Sequence, residues 1–340
     1  CFIVHNIIID HLLMKIETIY SIRGKMDCIR KGIGYIIHRP WLTTKVMGPW
    51  ALLFACVYVI YEWRKAGASV KTLVTGGLEM QDALTVFLLW MLSCILYQLF
   101  TSRLFIFFRR TQAAVERKEI EDRINEGEDV EAKEVITLTL KERIIELIAI
   151  ALITLPYYIW VYILVCPFVG VREGLYNLIV SQPSMTRQGL VSLGIIIAFF
   201  AIAFFATMLI YPLYHSAMTV KNKRIAQRKA SFKSNLKIGF RHKGKIFTVT
   251  LLSEFITILL CIIPSIPMVV CENAFTDSIT SILIHNDEAF IPTSGMWLMF
   301  IVCSITFAIV TLISIIPNIS LLYLYGSITE HEKPKENKAQ

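Results

Sequence analysis

The chain has 340 residues, 55% of them hydrophobic and only 18% charged, with a mean hydropathy of +0.60 and a formal net charge of +8. That is too apolar for an ordinary soluble domain. The surplus of basic residues borders long apolar runs and no nucleic-acid-reading motif, so it excludes a nucleic-acid binder and points to anionic lipid as the counter-charge.

In chain order, residues 1–25 begin with Cys1 and read as an N-terminal extension with a non-native start. Residues 2–14 carry Asp10 and lack a basic leading region, so they do not resemble a signal peptide. Met26–Leu42 follows, with Ile29, Ile33, Ile36 and Ile37 at helical spacing beside Arg30, Lys31 and Arg39. This predicts a basic amphipathic helix on the membrane surface, closed by Pro40.

Six spans are expected after it: 46–61 plus flanks, 83–104, 144–169, 190–216, 246–267 and 296–320. The second runs on past Arg109 and Arg110 into a charged hairpin, 109–143, and Thr139-Leu140-Lys141-Glu142 forms a capping box that starts the third. In the fourth, Gly194, Ala198 and Ala201 share one face, which invites close approach by a neighbouring helix. Tyr211, Pro212, Tyr214 and His215 at its end read as an interface belt. The fifth and sixth each finish on an Ile-Ile-Pro step, 262–264 and 315–317, where proline kinks or ends a helix. Residues 329–340 read as a disordered cytoplasmic tail.

Lys221–Lys245 sets the orientation, for it carries ten Lys/Arg and no acid between two apolar runs. With both termini inside, 29 of the 34 Lys/Arg fall on the cytoplasmic side. The expected architecture is therefore all-α: a polytopic integral membrane bundle of six transmembrane helices over 26–328, N-in and C-in, with basic surface helices before spans 1 and 5.

Ile33-Gly34-Tyr35 followed by His38-Arg39, and Ile238-Gly239-Phe240 followed by His242-Lys243, each lead into a span. This layout resembles bacterial membrane families related to the membrane domain that accompanies some glycerophosphodiester phosphodiesterases. The resemblance implies a helical domain of the bacterial inner membrane. It transfers no catalytic residue, because the phosphodiesterase domain is absent from this sequence.

Chemistry is sparse. Eight cysteines stand singly with no C-x-x-C pair, and only Cys166 and Cys271 are placed to meet as a disulfide. No zinc-protease, nucleophile-elbow or phosphate-loop motif occurs, so no catalytic, cofactor or metal residue is assigned. His285–Glu288 reads as a solvated acidic loop. Glu254, eight residues into the fifth span, falls near the bilayer midplane, where an acid is expensive. Gln98, Thr154 and Asn318 fall at similar depth, giving a candidate polar layer of four residues. Arg228, Lys229, Lys233, Lys237, Arg241, Lys243 and Lys245 are the candidate contacts to anionic lipid. The function expected is a non-catalytic membrane-organising or partner-accessory protein, with the 109–143 hairpin open to a protein partner. The alternatives are a solute, ion or lipid transporter with Glu254 in its path, or a membrane-embedded enzyme.

Overall fold

The computed structural model describes residues 18–77, 79–125, 140–170, 177–182, 184–219, 225–282 and 292–336. Among them no strand occurs, and the helices are α1 (Lys25–His38), α2 (Pro40–Thr75), α3 (Met80–Asn125), α4 (Leu140–Gly170), α5 (Met185–Ala206), α6 (Ile210–Met218), α7 (Ile225–Arg241), α8 (Lys243–Thr280), α9 (Thr293–Ile313) and α10 (Ile316–Glu336). Five stretches are long and apolar enough to cross a membrane: Pro40–Thr72, Met80–Arg117, Met185–Met218, Lys243–Thr280 and Ser294–Glu332. They match the expected spans except the one at 144–169, which falls on α4, whose side chains from residue 160 on lie outside the description. Exposed Leu, Ile and Phe run along α3, α5, α8 and α9, as lipid-facing helices require.

The chain divides into two compact units. The second, Ile29–Phe107 with Leu252–Ser320, is organised by α2 packed along α9. Tyr58 stacks on Phe307 at 4.4 Å, and Trp63 stacks on Phe275 of α8 at the same distance. Pro40 opens α2 instead of merely closing the helix before it, since a first-turn residue needs no N–H partner. The helix stops at Gly76, whose φ of 75° only glycine adopts cheaply and whose N–H caps the Thr72 carbonyl at 2.9 Å.

The first unit takes Cys1–Cys28, Phe108–Leu251 and Leu321–Gln340. Here α3 and α4 are joined by Glu146, which accepts from Arg109 and, at 2.5 Å, from Arg110. The span before α7 is broken between α5 and α6 by a 3-10 turn, Thr207–Leu209. The cause is local. The Thr207 hydroxyl donates to the Phe204 carbonyl at 2.7 Å, and Pro212 has no N–H to offer the Met208 carbonyl four residues back. Gly239 of α7 lies against that freed carbonyl, so closely that any Cβ would overlap it.

Several expectations change. Pro264 and Pro267 lie inside a continuous α8, so the first Ile-Ile-Pro step neither ends nor interrupts the helix. The second does coincide with a break, between α9 and α10, where the Ser314 hydroxyl donates to the Thr311 carbonyl at 2.8 Å. Gly194, Ala198 and Ala201 are exposed, and no described atom lies within 4 Å of a Cβ built on Gly194. Tyr211 and Tyr214 are buried, with Tyr211 5.4 Å from the Tyr325 ring, and so form core and not an interface belt. Thr329–Glu336 continues α10 where a disordered tail was expected. Residues 18–24, read as extension, belong to the fold: Ile19 is fully buried, its N–H donates to Gln112 Oε1 at 3.0 Å, and the Arg23 N–H donates to Ser327 Oγ at 2.9 Å. Residues 1–17, the capping-box Thr139, His285–Glu288 and the Cys166 side chain lie outside the described residues. Cys271 is a free thiol beside Cys303 of α9.

Candidate functional site

Along α10, every residue from Ile319 to Ile328 is buried, and so is Glu332, four residues further on. The helix therefore carries an acid into the interior of the first unit, where it is 7% exposed. A buried carboxylate needs partners, and the junction between α7 and α8 supplies them. The surface helix ends at Arg241 and the span begins at Lys243, leaving His242 as a one-residue turn whose N–H still donates to the Ile238 carbonyl at 3.0 Å.

From that turn His242 Nε2 lies 2.9 Å from Glu332 Oε1, and Arg241 donates to Glu332 Oε2 at 2.5 Å. His331 Nδ1 stands 3.7 Å from the same Oε1, and the two imidazole rings are 5.9 Å apart at 82°. His242 and Glu332 are buried, whereas His331 is exposed. The three donor atoms lie within 4.8 Å of one another.

A cavity of about 160 Å³ adjoins this cluster, lined by Arg23, Lys25, His242, Lys245, Ser327 and His331 among others. That is room for several waters or a hydrated ion. Arg23 shapes the wall more than it offers charge, because its guanidinium donates to the carbonyls of Ile19 and Thr18 and sits 5.1 Å over the Tyr323 ring. Lys25 and Lys245 are exposed, so the cavity mouth is cationic. Burial pushes the Cys28 thiol up to about 11 and also raises the Tyr20 phenol, so both stay protonated and neutral at ordinary pH.

The expected polar layer does not assemble. Glu254 is exposed on α8 beside Leu251, Phe255 and Ile258 and has no hydrogen-bond or ion-pair partner among the described residues. The Thr154 hydroxyl bonds back to its own helix, at the Ile150 carbonyl. Gln98 and Asn318 are half-buried, and neither bonds Glu254. Of the lipid-contact candidates, Lys233, Lys237 and Lys245 are exposed, while Arg228 and Lys229 lie on α7 with side chains outside the description. Arg241 is engaged with Glu332, and Lys243 sits over the Phe240 ring at 3.8 Å with Phe204 and Phe205 behind it.

The cluster escaped the sequence reading because His242 and Glu332 are separated by 90 positions. Nor does α10 point to it in sequence, because Ile319–Ile328 is buried on every side and no apolar stripe singles out Glu332. A larger cavity, about 410 Å³, lies in the second unit beside Trp63, Arg64, Lys71 and Asp82, but its Lys71 is already held by Glu79 at 2.8 Å and Asp82 at 3.1 Å. No family model, no curated protein and no solved structure matches this chain.

Proposed function

We propose that the chain is a non-catalytic, six-span protein of the bacterial inner membrane, both termini inside, that gathers anionic lipid at its inner face and accompanies a protein partner through the 109–143 hairpin. The observation that carries the lipid reading is the surface of the two helices too short to cross. On α1 Met26 and Ile37 are exposed beside Lys25 and Arg30, and Trp41, 75% exposed, follows at once; on α7 Phe232 and Phe240 are exposed beside Lys233 and Lys237. Apolar side chains adjacent to cations on a non-spanning helix suit the headgroup boundary, with the rings among acyl chains and the ammonium groups at phosphate.

Transport is the weaker reading, because it rests on Glu254 and that carboxyl stands among exposed apolar side chains. The test is native mass spectrometry of protein released from nanodiscs holding a mixture of anionic and zwitterionic lipid. Replacing Lys233, Lys237 and Lys245 together by Ala removes about 1 kcal/mol of attraction per residue. The anionic enrichment of the retained lipid should then collapse. Retention that is unselective in the parent protein, or unchanged in the triple variant, would refute the reading.

A further inference from the structure

We infer that His242, His331 and Glu332 form a binding site for a divalent transition-metal ion of the Zn2+ or Co2+ kind. The donor set comes first. Two imidazoles and one carboxylate suit a borderline ion, whereas Ca2+ and Mg2+ take oxygen ligands. Spacing agrees with the chemistry. Metal–donor bonds of about 2.0–2.2 Å in a tetrahedron put neighbouring donors about 3.3–3.6 Å apart. The separations of 2.9 Å and 3.7 Å from Glu332 Oε1 to the two imidazole nitrogens fall on either side of that value. The two imidazole nitrogens lie within 4.8 Å of each other, so the donors must close up by side-chain rotation to share one ion.

The surroundings are those of a ligand set held in place. Arg241 donates to Glu332 Oε2, the oxygen that faces neither imidazole, and so orients the carboxylate while leaving Oε1 to the ion. His242 is fixed by its position in the one-residue turn between α7 and α8. The exposed His331 gives the ion a way in from solvent, and the cavity beside both imidazoles holds space for a fourth ligand. Arg241, Lys25 and Lys245 oppose a bare dication here, and an anionic oxygen or hydroxide in the fourth position would offset their charge more than a neutral water would.

The experiment uses the full chain, tag-free and stripped of metal, in nanodiscs of zwitterionic lipid, so that its outcome is separate from the lipid reading. Titration with Co2+ should give the intense visible absorption of a tetrahedral ion at a single equivalent, bleached by Zn2+. His331→Ala and Glu332→Gln should each weaken binding by at least about 10–100-fold, the loss that follows even from disturbing a ligand's hydrogen-bond partner. His38→Ala, an exposed imidazole on α1, should change nothing. Absence of the tetrahedral spectrum overturns the site, as does full affinity in His331→Ala or an equal loss in His38→Ala. His331 is exposed, so its variant decides the matter even if Glu332→Gln fails to fold.

Discussion

Glu254 and Glu332 are both acids on long helices, and their fates differ by the partners within reach. On α10 every residue from Ile319 to Ile328 is buried, so no stripe gives direction, and Glu332 is held inward by Arg241 and His242. On α8 Leu251, Phe255 and Ile258 are exposed while Val249 and Ser253 are buried, and both faces are apolar or small. Periodicity therefore gives no sense of direction there, and the depth of Glu254 could be counted but not its facing. With no partner to lose, Glu254→Leu is expected to be no less stable than the parent and to gain up to about 2 kcal/mol, since an acid in the bilayer interior opposes insertion. Unfolding in mixed micelles followed by circular dichroism measures this. A loss of about 1 kcal/mol or more would reveal an interhelical hydrogen bond.

At the level of elements, the succession of a short basic helix and a long apolar one was legible, because charge at helical spacing gives way to an unbroken apolar run. Helix α1 passes into α2 across Arg39, and α7 into α8 across His242. What the sequence hid was the partner of each surface helix. Gly239 of α7 meets the break at Met208, and Gly32 of α1 meets the break at Ile316 and Ser320, so in each unit a glycine backs onto an interrupted span. The quoted Gly34 is not the contacting residue of α1, so the two short matches were out of step with the packing. The strand of chain before α1 was also misjudged, because Ile19 and Arg23 sit in a polar composition that gives no hint of Gln112 and Ser327 waiting for them. Removal of residues 1–17 leaves Ile19 and Arg23 in place and so serves as the reference. Removal of 1–24 deletes Ile19 and should cost about 2–5 kcal/mol, the range for emptying a buried aliphatic site. Equal stability of the two truncations, compared by thermal unfolding in detergent, would contradict that placement.

For the whole molecule, five spans rest on length and composition, and the orientation rests on charge asymmetry. Cysteine-accessibility labelling should find positions near Arg123, Arg228 and Lys338 inside and positions near Lys71, Met185 and Asp287 outside. A robust reversal at any of them would break the six-span arrangement. The break at Thr207–Leu209 carries a last consequence at this scale. Before it, Leu193, Ile196, Ile197, Phe199 and Phe200 are exposed, whereas Tyr211, Tyr214, Ala217 and Met218 after it are buried in the first unit. One apolar stretch thus changes its surroundings at the turn. Its α5 part packs on α4 and leaves its other side chains outward, the face that acyl chains would cover in a bilayer. The α6 part is held by neighbouring side chains, and the 3-10 turn marks where the chain passes from an exposed helix to a core-bound one.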